Sequence, residues 1–289
     1  MLYKYRGNSE NTDKIFTEQK VWLSNAKGLN DPFECTIQEI AEDYIKEQVK
    51  IGKEAHLLGF IHEAKLRPDP SKTAILKKIR KAASLDDKHV ILRKAYLKYA
   101  GVKITNPIDT FKNFDKQLQN VGIFSLSEDP INELMWAHYG EQHCGIAIGF
   151  SNTLQTVLND KEKCLKVSYS DELPTFDSEG FLMETTVNSS GTNLQKIALN
   201  DSTFIKAITT KSKSWSYEKE WRYIEENAGA YPLPGTISEV IFGLRVESEM
   251  ESKYRKLVKT LPNFNDVKFF KVDKVRNSNK LELKELPNS

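Results

Sequence analysis

Segments in which hydrophobic and polar positions alternate, or in which apolar residues run together, recur along this 289-residue chain. They include LYKYR near the start and VGIFSLSE, CGIAIGF, VIFGLRV and VKFFKVDKV in the second half. Short runs of this kind, bounded by turn residues, are typical of β-strands. The first predicted strand therefore lies far from most of the others along the sequence. Between them, KIFTEQKVWLSN predicts a strand with a short helix or hairpin.

Between residues 36 and 120 the apolar positions change to helical spacing. The segments IQEIAEDYIKEQVK, TAILKKIRKAA and DDKHVILRKAYLKYA predict three or four amphipathic helices. Asp69 or Ser71 is placed to cap one of them. The basic faces of these helices are most simply solvated surfaces, and contact with nucleic acid is the alternative.

The order of elements is a strand, a helical block, and then strands mixed with helices. This order predicts an α+β fold with a mixed, largely antiparallel central sheet, in which the N-terminal strand pairs with strands of the second half. We expect a single domain over residues 1–289, with residues 36–120 as a helical insertion. INELMWAHYG and residues 201–213 predict further helices, and residues 171–202 are a candidate mobile loop.

Charge and cysteine content narrow the classes of protein. The net charge is only +2, which argues against a strongly basic nucleic-acid protein, although a local basic groove stays possible. Three widely spaced cysteines suit neither a disulfide framework nor a zinc site. Neither a signal peptide nor a membrane-spanning apolar segment is expected, so a cytoplasmic protein without membrane contact is predicted.

Four groups of polar and aromatic residues are candidates for chemistry. They are Tyr3, Tyr5 and Arg6; Asn30, Asp31 and Glu34; Ser125 and Ser127 with Trp136, His138 and Tyr139; and the stretch WSYEKEWRY at residues 215–223. Each group also suits a structural role: an aromatic strand face, an Asx turn, a hydrogen-bonded core histidine, or the edge of the core.

The stretch WSYEKEWRY has strand alternation. As a strand, it directs Trp215 and Tyr217 towards the core and Glu218, Glu220 and Arg222 to the other face. Two carboxylates and a guanidinium are costly to bury unless they are paired. The face is therefore either the floor of a site or a solvated surface with an Arg–Glu pair.

Several of these motifs together resemble one family. LYKYR, LNDPFEC, FSLSE followed by MWAHYG, CGIAIGF, WSYEKEWR and VIFGLRV look like a bacterial family known as domain of unknown function two-nine-seven-one. The resemblance runs from residue 2 to about residue 261, and the helical block is its least diagnostic part. The family name implies no reaction.

Three motifs also resemble, more loosely, those of ADP-ribosyltransferase-like domains. Such domains carry an Arg, His or Tyr on a first strand, a Ser/Thr pair or a Tyr on a second, and a Glu-x-Glu motif on a third. This chain has Tyr5 and Arg6, then Ser125-Leu126-Ser127, then Glu218-Lys219-Glu220. The resemblance implies an ADP-ribosyltransferase-like sheet and an NAD-using enzyme, such as a toxin or phage-defence effector.

The same resemblance implies roles for individual residues. Tyr5 and Arg6 would contact the phosphates or ribose of NAD, and Ser125 and Ser127 would shape the nicotinamide site. Glu220 would stabilise the oxocarbenium ion as nicotinamide leaves, and Glu218 would orient the acceptor. Tyr217 and Arg222 are added as cofactor-binding residues, and the expected substrate-binding residues are Asn30, Asp31, Trp136, His138 and Tyr139.

NAD is thus the expected partner, no metal is expected, and the acceptor is a protein or nucleic acid that the sequence does not identify. Two other classes of function stay open. In one, Glu218 and Glu220 with Asp31 and Glu34 hold Mg²⁺ in a nucleic-acid-binding or nuclease-like protein. In the other, the protein is a non-catalytic regulatory or interaction domain.

Overall fold

The computed structural model describes residues 1–176, 181–187 and 193–287, and the chain divides into two compact units. The first comprises Met1–Thr36, Gln119–Leu173 and Lys206–Ser289. The second comprises Ile37–Leu118 and Pro174–Ile205. The second unit therefore contains most of the predicted helical insertion together with a later segment, Pro174–Ile205. Among the described residues, no helix has the length and apolar character needed to cross a membrane.

The strands are short and spread along the whole chain. In chain order they are β1 (Leu2–Arg6), β2 (Lys20–Leu23), β3 (Gly122–Ser127), β4 (Ile146–Ser151), β5 (Cys164–Lys166), β6 (Ser168–Tyr169), β7 (Met183–Val187), β8 (Asn193–Ile197), β9 (Thr210–Lys211), β10 (Glu220–Glu225), β11 (Gly229–Pro232), β12 (Thr236–Phe242), β13 (Lys268–Lys274) and β14 (Leu281–Leu286).

The α-helices concentrate before β3. They are α1 (Glu10–Thr17), α2 (Glu42–Leu66), α3 (Pro70–Lys81), α4 (Leu85–Ala100), α5 (Pro107–Asn120), α6 (Glu133–His138), α7 (Ser202–Thr209) and α8 (Ser248–Val258). Four of them, α2 to α5, account for the segment in which three or four helices were predicted.

The first unit is built on an eight-stranded sheet of order β14-β13-β12-β4-β1-β3-β10-β5. All neighbours are antiparallel except β12 and β13, whose parallel pairing needs a crossover, and α8 lies between them in the chain. The α+β fold with a mixed, largely antiparallel sheet is confirmed. The N-terminal strand does pair with strands of the second half, since β1 lies between β3 and β4.

The two sides of β1 are paired to very different extents. Against β4, β1 is in register over its whole length, from Leu2 opposite Phe150 to Arg6 opposite Ile146. Against β3 it pairs only at Tyr3 opposite Ser127. Further along β3, the backbone of Ile123 exchanges hydrogen bonds of 2.8 and 2.9 Å with Ser24, which follows β2. Beyond the pair of Tyr3 and Ser127, β1 and β3 are therefore not paired with each other, which leaves an opening between the two strands.

Apolar side chains cover both faces of this sheet. On one face, Phe16 of α1 and Tyr254 of α8 pack with their ring centroids 5.7 Å apart. On the other, Trp136 of α6 packs on Tyr5, with 5.0 Å between centroids. Strand β4 is buried along most of its length, which explains why CGIAIGF is apolar without alternation.

The second unit has its own core between α2, α3 and α4, which includes Phe60, Ile75, Ile79 and Leu92. Asp69, one of the two predicted caps, accepts from the backbone N–H of Lys72 at 2.8 Å and caps α3. Strands β7 and β8 form an antiparallel pair in this unit.

Several local predictions were wrong. The helix before β2 begins at Glu10 with Ser9 as its cap, earlier than the segment KIFTEQKVWLSN predicts. The predicted helix over residues 201–213 ends at Thr209 and is followed by β9. VKFFKVDKV forms β13, but its antiparallel partner β14 was not predicted. The candidate loop 171–202 contains β7 and β8, and its Ser/Asn/Gly-rich part at residues 188–192 lies outside the described residues.

Candidate functional site

A cavity of about 220 Å³ lies in the first unit where β1 and β3 are open to each other. Residues 3–6 of β1 and 125–127 of β3 form its walls. Glu218, Glu220 and Lys211 complete its lining on the side of β10. The three sequence motifs, although more than 200 residues apart at their extremes, therefore line one cavity.

The stretch WSYEKEWRY is not one continuous strand, and this prediction was wrong. Residues Lys213–Glu218 form a short 3-10 helix, Lys219 has a left-handed φ of 45°, and β10 begins only at Glu220. At the start of this helix, Asp171 accepts from the backbone N–H of Lys213 at 3.1 Å, and the hydroxyl groups of Ser212 and Ser214 lie 3.1 Å apart. The turn at Lys219, not strand alternation, brings Glu218 beside Glu220.

Three carboxylates converge on one ammonium group. The Nζ atom of Lys211 lies 2.6 Å from Glu218 Oε2 and 3.2 Å from both Glu220 Oε2 and Glu34 Oε1. Each of these four side chains is at most 5% exposed, so solvent screens the attraction little. Lys211 therefore fixes the positions of the carboxylates relative to one another.

Arg222 completes the charged cluster from β10. Its guanidinium pairs with Glu34, donates through Nε to Glu220 Oε1 at 3.0 Å, and donates to the carbonyl of Ile208 at 2.6 Å. Its side chain is fully buried and does not line the cavity. The cluster formally holds three negative and two positive charges, which leaves an excess negative charge beside the cavity.

The two carboxylates of the Glu-Lys-Glu motif differ in proton affinity. Burial alone would raise the pKa of Glu220, but the charges of Arg222 and Lys211 lower it to about 2. Burial raises the pKa of Glu218 above its ordinary value, against the opposing effects of Lys211 and Tyr139. Glu220 is thus held as an anion, whereas Glu218 is the group that more readily takes up a proton.

A hydrogen-bonded chain leads from Glu218 towards the NDPFE loop. The hydroxyl of Tyr139 donates to Glu218 Oε1 at 2.6 Å and accepts from Asn30 Nδ2 at 2.6 Å. Tyr139 follows directly on α6, whose first turn is capped by Asn132. Both Asn30 and Tyr139 line the cavity, and Tyr139 holds the Glu218 carboxylate oxygen that Lys211 does not contact.

The β1 wall of the cavity is cationic. Lys4 donates to the carbonyl of Ser125 at 2.7 Å and lies 4.7 Å from the ring centroid of Phe124. Burial and the neighbouring Arg6 lower the pKa of Lys4 to about 7. The buried Nε of Arg6 has no hydrogen-bond partner among the described residues. An anionic ligand would satisfy both side chains.

The remaining motif residues are held by hydrogen bonds. Ser127 donates to the carbonyl of Glu218 at 2.6 Å, and Ser125 is one of the groups that lower the pKa of Glu220. Tyr3 donates to Glu239 at 3.0 Å, and Tyr5 donates to the carbonyl of Asp129. These contacts tie β1, β3 and β10 together around the opening.

Five predicted site residues lie away from the cavity lining: Asp31, Trp136, His138, Tyr217 and Arg222. Asp31 accepts from the backbone N–H of Phe33 at 2.9 Å, the Asx turn that was its alternative. Trp136 is fully buried and donates to the carbonyl of Pro130 at 2.9 Å. His138 is exposed, with 6.2 Å between its ring centroid and that of Tyr217.

Sequence reasoning gave no site role to Lys4, Lys211 or Trp22, all of which line the cavity. A site role for Lys4 could have been predicted, because Lys4 shares a strand face with Arg6 at a spacing of two. No local pattern indicates a site role for Lys211, because its partners are Glu218 and Glu220 in the next motif and Glu34 far along the chain.

Comparison with known proteins gives one finding. Residues 135–223 match the family described as Protein of unknown function (DUF2971). This match confirms the family resemblance over residues 135–223, and LYKYR, LNDPFEC, FSLSE and VIFGLRV lie outside the matched region. It covers MWAHYG, CGIAIGF and WSYEKEWR, and therefore Tyr139, Lys211, Glu218, Glu220 and Arg222 of the site. No curated protein and no solved structure matches the chain significantly.

Proposed function

We propose that this protein is an NAD-using enzyme of the ADP-ribosyltransferase type, which cleaves the bond between nicotinamide and ribose. The observation that carries the proposal is the meeting of three motifs in one cavity with a cationic wall and an acidic wall. NAD has matching parts: an anionic diphosphate and a ribose that becomes cationic as its bond to nicotinamide breaks.

The cationic wall suits the diphosphate. Arg6 has a buried Nε without a partner among the described residues, and Lys4 lies two positions away on the same strand. Hydrogen bonds from a guanidinium to phosphate oxygens are charge-assisted and about twice as strong as neutral ones. Trp22 lines the same cavity with 60% of its surface exposed, which suits stacking on a base.

The acidic wall suits the reacting ribose. When the C1′–N bond breaks, nicotinamide leaves with the bonding electrons and positive charge develops on the sugar. A carboxylate that is ionised before the reaction stabilises this charge more in the transition state than in the ground state. Glu220 has this property, because Arg222 and Lys211 keep its pKa at about 2.

Glu218 suits the second half of the transfer. An acceptor nucleophile forms its bond to C1′ and must lose a proton. Glu218 has a raised pKa and is oriented by Tyr139, Lys211 and the backbone turn at Lys219. A positioned carboxylate of raised pKa is a suitable general base for that proton. Glu34 and Lys211 act as positioning residues, because they hold the two carboxylates in place.

The test is NAD consumption by the purified protein, with and without nucleic acid and lysate protein as acceptors. We expect Glu220→Gln to lower turnover by about 10²- to 10³-fold, the usual loss when one transition-state contact is removed. Glu225→Gln is the matched control, because Glu225 ends the same strand but pairs with Lys163 away from the cavity.

Since Glu220 is part of a buried ion-pair cluster, its variant must also be shown to fold. Circular dichroism and the melting temperature would establish this before turnover is compared. Full NAD turnover in a folded Glu220→Gln protein would refute the assigned role. No turnover and no NAD-induced thermal shift in the wild type would refute the proposed function.

A further inference from the structure

One stretch of the second unit carries a large excess of positive charge. Residues 65–103 contain twelve Lys and Arg and three Asp, a formal charge of +9, in a chain whose total is +2. The rest of the chain is therefore formally at −7. Such an asymmetry within one chain is a signal of binding to polyanions.

The densest part of this charge lies on α3. Lys77, Lys78, Arg80 and Lys81 are all exposed, and none has an ion pair with any residue that the structure describes. By contrast, Lys72 of the same helix pairs with Glu63 at 2.9 Å. The four cations lie in the second half of α3, where the negative end of the helix dipole favours them.

Helix α4 extends the charge with Lys94 and Lys98, which are also exposed. Lys98 lies 5.2 Å from the ring centroid of Tyr99, a side chain that is 58% exposed. A cation beside an accessible aromatic ring is an arrangement that suits a phosphate together with a base.

The outer face of α3 is not suited to a lipid or to an apolar protein surface. Its apolar residues Ile75 and Ile79 are buried in the core of the helical unit. No large hydrophobic residue of α3 is exposed. Membrane-surface helices need an accessible apolar face beside their basic one. Helix α3 lacks such a face, whereas α4 exposes Val90 and Leu97, so vesicles with anionic lipid belong in the test.

We propose that α3 and α4 form a binding surface for the phosphate backbone of a nucleic acid. Contacts through Lys and Arg to phosphates carry no base sequence, so binding is expected to depend weakly on sequence and strongly on salt. This inference does not depend on the proposed activity, because the two sets of residues belong to different units.

The test is fluorescence anisotropy with a labelled 20-nucleotide single strand of DNA, its duplex, and the RNA of the same sequence, using the full-length protein over a range of salt. If the four α3 cations contact four phosphates, they contribute about −3.6 to the slope of log K against log salt on a duplex. The quadruple variant K77E/K78E/R80E/K81E should lose this contribution and bind at least about a hundredfold more weakly at low salt.

A matched charge change is available in the first unit. Lys256, Lys259, Lys268 and Lys274 are exposed and have no ion pair among the described residues. Their quadruple change to Glu alters the net charge equally and should leave most of the affinity intact.

Three outcomes would overturn the proposal. These are no binding of any of the nucleic acids at 50 mM salt, equal losses in both quadruple variants, or equally tight binding to polyglutamate or to vesicles with anionic lipid. The third result would identify an unspecific surface for anions or an acidic protein or membrane partner.

Discussion

The charged cluster beside the cavity and the basic surface of α3 use the same residue types in opposite ways. Around Lys211, five charged side chains are buried and each contacts a group of opposite sign. On α3, four neighbouring cations are exposed and have no such partner among the described residues. Burial makes an unpaired charge costly, whereas water stabilises it at the surface. The buried charges beside the cavity therefore need partners of opposite sign, whereas the exposed charges of α3 do not.

The largest predicted effect of this difference concerns stability. Arg222→Met leaves Glu34 and Glu220 with Lys211 as their remaining cation in a buried environment. We expect the free energy of unfolding to fall by about 3–5 kcal/mol, the usual effect of removing one partner of a buried ion pair. Urea denaturation measures it. A loss below about 1 kcal/mol would mean that the cluster is more hydrated than its burial indicates.

A smaller effect is expected from Glu218, the carboxylate that we propose as the general base for the acceptor. Glu218→Gln should lower NAD transfer by about a hundredfold, because a positioned general base contributes at least that much. The raised pKa of Glu218 implies that wild-type activity falls as the pH drops below that pKa. The variant should lack this acidic limb. An unchanged pH–rate profile in the variant would show that another group titrates.

Lys4, which lines the cavity, is expected to make stability depend on pH. Burial and Arg6 lower the pKa of Lys4 to about 7, so between that value and its ordinary 10.5 the unfolded chain binds more protons than the native one. Lys4 therefore makes stability rise as the pH increases from 7 to 10.5. The difference in unfolding free energy between Lys4→Met and the wild type should be largest at or below neutral pH and shrink towards pH 10. A difference that is constant with pH would contradict the buried state of Lys4.

The smallest effect is predicted on α3. Lys81→Met removes an exposed cation without an ion-pair partner among the described residues. The free energy of unfolding should change by less than about 0.5 kcal/mol. The same urea experiment that is used for Arg222→Met measures it. A loss as large as that of Arg222→Met would mean that exposure does not separate the two regions.

Local patterns were enough to place the three motifs on or beside strands. Ser125 and Ser127 lie on β3 and Arg6 lies on β1, as their alternation predicts. The helical spacing of residues 36–120 also predicted the helices of the second unit. In both cases the signal lies within a few residues, where the periodicity of side-chain direction is informative.

The geometry of the site depended on contacts that local patterns do not report. Glu218 reaches the cavity through a left-handed turn at Lys219, not through strand alternation. The sequence neighbours of Arg222 suggest a ligand-binding role. In the structure, its guanidinium instead forms an ion pair with Glu34, which lies 188 residues away in the chain. The opening between β1 and β3 follows from strand pairing, which a single sequence does not encode locally.

We propose that the opening between β1 and β3 binds NAD through Arg6. Isothermal titration of the protein with NAD, for the wild type and for Arg6→Met, tests it directly. We predict saturable binding that competes with ADP-ribose, and an affinity at least tenfold weaker in Arg6→Met, since a hydrogen bond to a charged group contributes about 1.5–3 kcal/mol. No saturable binding by the wild type, or equal affinity in a folded Arg6→Met protein, would contradict the claim.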